Sequence, residues 1–369
     1  MYSQQELDDA VASGAITPES ADALRKFIEG QRVAVIPDEE QFRLITGFND
    51  IFVSIAAAIL LFAVGWIGQW IGQRADLAIE SNGPSFLAPL FVAVAAWSLA
   101  LFFTARRRMA LPSILLLLAF VGGVLATAGF TLVLAVGEAA LDNNPQLGGV
   151  LAALSAGIAA VAAWLHWRRF RVPITVAAGA ASVAGIAVGL LIAALGQNAE
   201  QAKNVILGFV LLLGVGTFLF AMWWDASDRA RLTRRSDVAF WLHLLAAPMI
   251  VHPVFTLLGL NDGNATVGEG LVVILLYVAL GVTALAIDRR ALLVSALAYL
   301  LFAMQQLFSQ FGAVELNVAL TALVIGSALL LLSAFWHQAR RTIVQPLPQS
   351  LRERLPLIDR TAIPSQQAA

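Results

Sequence analysis

Two histidines, His243 and His252, share the apolar run FWLHLLAAPMIVHPVFTLLG (240–259) with two prolines, Pro248 and Pro253. An imidazole can ligate a metal, carry a proton or donate a hydrogen bond, and proline inside a helix frees a carbonyl. The stretch therefore holds residue types from which a site in apolar surroundings is built. The spacing argues against a shared metal ion. Nine positions turn an ideal helix by about 900°, half a circle beyond two full turns, so the two rings face opposite ways, whereas a ligand pair on one helix takes a spacing of three or four. Pro248 and Pro253 free the carbonyls of Leu244 and Met249, which in a dry setting need other donors. For His252 the leading role is a structural hydrogen bond, since its side chain leans towards the preceding turn; a pore or substrate contact comes next. A second polar group, Gln305 and Gln306 with Ser309 and Gln310, falls at a comparable depth, and either Gln305 or Gln306 is the expected partner of His252. His166, His243 and His337 stand beside tryptophans and are expected at an interface. No metal and no cofactor are expected.

Aqueous catalysis finds no footing. The chain has no cysteine, which removes thiolate nucleophiles, thiolate metal sites and disulfides together. HExxH, GxSxG and a glycine-rich phosphate loop are all absent, and the loops are too short to house a catalytic domain. The expectation is a protein that is not an enzyme and does not bind nucleic acid.

The elements that must position these residues are set by composition. A chain of 369 residues that is 59% hydrophobic and 13% charged, with a mean hydropathy of +0.81, cannot hide its apolar residues in a water-soluble core. Crossing a hydrocarbon layer as helix takes about 20 apolar residues, because each backbone amide must be bonded within its own segment. Ten runs meet that length: 51–72, 86–104, 111–136, 147–165, 172–195, 204–224, 238–260, 270–287, 291–310 and 316–336. The expected fold class is thus an all-α integral membrane protein with a bundle of about ten transmembrane helices spanning 48–337.

Arginine placement orients that bundle. Arg106 to Arg108, then Arg168, Arg169 and Arg171, then Arg229, Arg231, Arg234 and Arg235, then Arg289 and Arg290 occupy alternate connections, and the connections between them hold only Arg74 and Lys203. Basic residues in short loops stay cytoplasmic, which puts both termini on the inner side of a bacterial cytoplasmic membrane. Tryptophans agree with this frame. Trp66 and Trp70 close the first span outwardly, whereas Trp164, Trp167, Trp223, Trp224, Trp241 and Trp336 stand at inner ends, where indoles settle at headgroup level. Only Trp97 is set deeper.

Every Asp, Glu, Lys and Arg falls outside or at the rim of the ten spans, with Asp225 just following the sixth. A carboxylate or lysine near the midplane is the usual seat of a coupling ion, so ion-driven transport is disfavoured. In the fifth span Ala181, Gly185, Gly189 and Ala193 recur every four residues, and Gly149, Ala153 and Gly157 do the same in the fourth. Such ladders let backbones approach closely. Packing within the chain is the leading reading, and a homodimer through the fifth span is the alternative.

The ends are different material. Residues 1–47 read as a small cytoplasmic helical hairpin around Gly14, with Thr17 as a cap and Pro18 in the first turn of its second helix. Its segment Leu7 to Glu19, of the form L-x-x-A-V-x-x-G-x-I-T-x-E and followed by apolar hairpins, resembles the bacterial multi-pass proteins grouped as "domain of unknown function 2157". That resemblance implies a membrane bundle and brings no chemistry. Residues 338–369, with four prolines and scattered arginines, read as a flexible cytoplasmic tail. Two functions are weighed. One is a transporter-like protein that binds or moves an apolar or amphipathic small molecule or lipid through an uncharged interior, with the bent seventh span as the lining part. The other is a membrane scaffold or sensor recruiting a cytoplasmic protein through residues 1–47. Membrane lipids are expected partners in either case.

Overall fold

Long apolar runs leave the backbone no partner but itself, and helix is the outcome. A computed structural model of the protein describes residues 11–23, 48–79, 83–142, 144–229, 231, 233–259, 267–290, 292–293, 297, 301, 317–353 and 355–356. Its helices are α1 (Phe48–Arg74), α2 (Leu87–Phe103), α3 (Ala110–Val136), the short α4 (Glu138–Asp142), α5 (Pro145–Phe170), α6 (Ile174–Leu195), α7 (Lys203–Ala226), α8 (Arg234–Leu257), α9 (Val267–Ile287), α10 (Asn317–Ala334), α11 (Trp336–Val344) and α12 (Gln349–Arg352). Among the described residues the only extended pairing is an isolated bridge between Ala78 and Ser85.

Six of these helices, α1, α3, α5, α6, α7 and α8, are long and apolar enough to cross a membrane. A seventh is reached if residues 322–334 and Trp336–Val344, bent by 73° at Phe335, count as one broken span. The figure of ten is not attained among the described residues. With 17 residues, α2 reaches about 25 Å and falls short of a ~30 Å hydrocarbon core. The described apolar part of α9, Ile274–Ile287, is shorter again. Most of the expected ninth span, 291–310, lies outside the described residues, and with it Gln305 and Gln306.

Successive helices pack as a relay. Ala57 and Leu61 of α1 meet Ala96 and Ala100 of α2 and Leu116 of α3; Leu117 and Val121 of α3 meet Ala159 and Ala163 of α5 and Ile174 of α6. Ala177 of α6 meets Ala221 of α7 and Val238 and Leu242 of α8, while Ala247 of α8 meets Ala284 and Leu285 of α9. Alanines share these contacts with leucines and valines, and many other large side chains point away from the protein: Phe52, Ile59, Trp66, Leu212, Leu219 and Trp223 are all more than half exposed. In water that distribution would be a severe liability; in lipid, where packing rather than apolar burial drives helix association, it is the stable one.

The closest contact joins α5 and α6. A Cβ on Gly189 would sit 2.8 Å from both the amide nitrogen of Ala153 and the carbonyl oxygen of Gly149, and one on Gly149 would sit 2.6 Å from the carbonyl oxygen of Gly189. Gly185, Gly189 and Ala193 are therefore turned toward α5. α7 and α8 approach in the same way at Gly214, where a Cβ would lie 2.8 Å from the carbonyl carbon and oxygen of Met249. That carbonyl is the one Pro253 leaves without its helical donor.

Two expectations about the ends meet the structure differently. Residues 11–23, which belong to a separate compact unit, turn at Gly14 (φ 72°) and enter a helix at 18–23, where Thr17 Oγ1 accepts the amide of Ser20 at 3.2 Å. The expected cap is present. The flexible tail is corrected over 338–356. α11 continues to Val344, and the chain then folds back so that Leu355 is buried with Val344 and Trp336. Carbonyls of the returning segment are held by arginines: Arg229 Nε on Leu355 at 3.0 Å, Arg229 Nη2 on Arg352 at 3.1 Å and Arg340 Nη2 on Pro356 at 2.8 Å. Prolines and charges that look like solvated tail in one dimension are here capping partners.

Candidate functional site

The proline-rich run lines neither of the two recesses described below. α8 passes through both prolines as one helix, with Pro253 buried and Pro248 exposed. His252 is exposed, and its carbonyl accepts the hydroxyl of Thr256 at 2.9 Å. Gln305 and Gln306, its expected partners, lie outside the described residues. His252, Pro248 and Pro253 thus do not converge on a cavity among the described residues.

Of the three histidines expected at an interface, two are instead enclosed by the protein, while His337 is half-buried. His166 and His243 are both fully buried. His166 Nδ1 is 3.2 Å from Thr175 Oγ1, and its ring sits among Trp97, Phe120 and Phe170, with centroids 4.6 to 6.2 Å away. That cluster gives Trp97 ring partners inside the protein. His243 Nε2 lies 3.1 Å from Asp225 Oδ2, and its ring packs edge-on against Phe218.

Asp225 is the centre of a feature that sequence reasoning missed. It occupies the last turn of α7, where a carboxylate opposes the helix dipole and, buried from water, needs cations. Arg289, just past the end of α9, supplies them: its Nε donates to Asp225 Oδ2 at 3.1 Å and its Nη2 to Oδ1. The same Nη2 reaches the carbonyl of Ser236 at 3.0 Å and its hydroxyl at 3.2 Å, which ties in the first turns of α8. One residue earlier Asp288 takes a left-handed conformation (φ 56°) that ends α9. Its carboxylate accepts Arg231 Nη1 at 2.9 Å and Trp336 Nε1 at 2.8 Å, with Arg340 Nε 3.9 Å away. Arg231 Nη2 also caps the carbonyls of Ile287 and Asp288, both at 2.9 Å. The ionised groups at this rim are therefore not all turned to water; five of them, Asp225, Arg231, Asp288, Arg289 and Arg340, pair inside the protein. A legible signal existed: Asp225, Asp228, Asp237 and Asp288 are acidic residues set in the arginine-rich connections.

This cluster is a clamp. Each carboxylate oxygen is taken by a guanidinium, an imidazole or an indole, and no cavity described here has His243 or Asp225 in its wall. Its chemistry is the joining of α7, α8, α9 and α11 at one end of the bundle.

Space for a ligand is found elsewhere. Between α3, α5 and α6 runs a groove of about 640 Å³ lined by Leu118, Val121, Leu125 and Val133 of α3, Leu151 and Ala156 of α5, and Ala181 and Gly185 of α6, among others. Its side-chain heteroatoms are the hydroxyls of Ser155 and Ser182. Both are spent on their own helices, at 2.8 Å from the carbonyl of Leu151 and 2.9 Å from that of Ala178. The small-residue ladder has two roles along its length: at Gly185, Gly189 and Ala193 it brings α5 and α6 together, and at Ala181 and Gly185 it also borders the hollow. No family model, no curated protein and no solved structure matches the chain.

Proposed function

We propose that this membrane protein binds an amphipathic molecule by its apolar portion, a lipid acyl chain, in the groove between α3, α5 and α6. One observation carries the reading: a cavity of about 640 Å³ between membrane-length helices in which no side chain offers an unspent hydrogen-bond donor. A volume within the roughly 300–1,000 Å³ of small-molecule sites suits a ligand of many carbons. Walls of Leu, Val, Ala and Gly give it shape complementarity and no polar recognition, which is what hydrocarbon requires. The protein is set in a bacterial inner membrane with its arginine-rich end inward, on the strength of the basic connections.

The test uses the lipid that co-purifies with the full chain. Gly122 lines the groove, and a Cβ there would meet no atom within 4 Å, so Gly122→Leu fills the hollow without entering a helix contact. Gly216 on α7 is equally open but lies outside the groove, and Gly216→Leu is the control. Mass spectrometry of the detergent-purified protein should find retained acyl lipid on the parent and on Gly216→Leu and a severalfold loss on Gly122→Leu. Equal retention in all three would sink the assignment.

A further inference from the structure

A second recess, of about 300 Å³, lies at the arginine-rich end between α5, α7 and α8, lined by Trp167, Arg171, Trp224, Arg234, Arg235 and Val238. Half of those residues are arginines and none is acidic. Arg171 follows α5 in a left-handed conformation (φ 56°) with its guanidinium over Trp167, 5.8 Å from the ring centre. Arg234 and Arg235 open α8, whose start is fixed by Thr233: that residue caps Arg235 N at 3.2 Å and is itself gripped by Asp228 Oδ2, at 2.8 Å from its amide and 2.6 Å from its hydroxyl.

Two groups of arginines at this end differ. Arg229, Arg231, Arg289 and Arg340 are spent on carboxylates and carbonyls of the clamp and the returning chain. Arg171, Arg234 and Arg235 have no carboxylate within ion-pair distance among the described residues, yet they border one cavity. Trp224 lines the same recess, and its indole N–H is shielded from solvent and has no acceptor among the described residues. A buried donor left without a partner calls for an explanation. Three guanidiniums, an indole N–H and the positive end of α8 all ask for a polyoxygen anion.

We infer that this recess takes the phosphate of an anionic phospholipid. The neighbourhood of the recess selects lipid over a free ion. Its Trp167 and Trp224 stand one helical turn and one position from exposed Trp164 and Trp223, the residue type that settles among headgroups, and basic pockets between membrane helices at the inner surface are suited to phosphate-bearing headgroups. This assignment does not rest on the acyl groove, which lies between a different set of helices.

The test is the affinity of the full chain, in neutral detergent, for phosphatidylglycerol, phosphatidylcholine and inorganic phosphate, read from thermal unfolding against added ligand. The parent protein should be stabilised more by phosphatidylglycerol than by phosphatidylcholine, whose acyl chains can still enter the groove between α3, α5 and α6, and should be unaffected by inorganic phosphate; the excess for phosphatidylglycerol is the binding read at this recess. Substitution of Arg171, Arg234 and Arg235 by Gln should weaken apparent binding by about fivefold for each arginine removed. Arg106, Arg107 and Arg108 changed together to Gln form the control for charge alone and should leave it within twofold. Trp224→Phe, which keeps an aromatic ring and deletes the donor, should weaken it without removing any charge; this variant also decides the matter if the triple variant fails to fold. Equal losses in the two arginine triples, or full binding by Trp224→Phe, would overturn the site. Stabilisation by inorganic phosphate that is lost in the Arg171, Arg234 and Arg235 variant would overturn the lipid assignment.

Discussion

Arg289 grips Asp225 with two of its nitrogens from 64 positions further along the chain, and both side chains are almost wholly withdrawn from solvent. The pair holds the end of α7 against the end of α9, and through Ser236 and His243 it captures α8 as well. Removing one member leaves the other buried and uncompensated, at a cost of about 3–5 kcal/mol. Asp225→Asn and Arg289→Gln should each lose stability on that scale in detergent unfolding. An Asp225→Leu/Arg289→Met double variant should recover most of it. Costs that simply add would show that the two groups do not depend on one another.

The α5–α6 contact predicts a contrast between glycines on neighbouring helices. Gly189→Val forces a side chain against the backbone of Ala153 and Gly149 and should cost about 1–3 kcal/mol or displace the helices. Gly157→Ala, where a Cβ meets nothing within 4 Å, should be neutral or slightly stabilising through helix propensity. Matching losses in the two variants, measured by the same unfolding assay, would remove close approach as the reason for the ladder.

Gly214 gives an independent case. Its missing side chain lets α7 lie against the Met249 carbonyl that Pro253 has released. Gly214→Ala should destabilise the protein, and combining it with Pro253→Ala should cost less than the sum of the two, because both act at one contact. Additivity in the unfolding free energies would separate them.

Docking of the C-terminal segment predicts protease resistance. Leu355→Asp places a charge beside Val344 and Trp336, and Arg340→Ala removes the donor to Pro356. Each should speed cleavage between residues 345 and 356 by at least severalfold in limited proteolysis, with the helical bundle still intact. A parent protein cut there as fast as the variants would mean that the segment is not held.

Lack of cysteine makes orientation directly measurable. Single cysteines at Arg107 and Ser227 should react with an impermeant thiol reagent only after the inner face of cells is opened. Cysteines at Asp142 and Gln197 should react in intact cells. The reverse pattern would invert the bundle.

Composition and hydropathy alone determined that the chain is helical and lives in lipid, because a hydrocarbon solvent leaves the backbone one way to satisfy itself and the requirement is local to each segment. The glycine ladder at 185 and 189 was equally legible, since a stripe of missing side chains has the same meaning wherever the partner comes from. Pairings over distance were not. Nothing local distinguishes Arg289, buried on Asp225, from Arg234, which borders a recess, or marks His243 as core and His252 as exposed. A charge at a helix end can be neutralised by water, by lipid phosphate or by another residue, and only the three-dimensional arrangement of helix ends decides which of them is within reach.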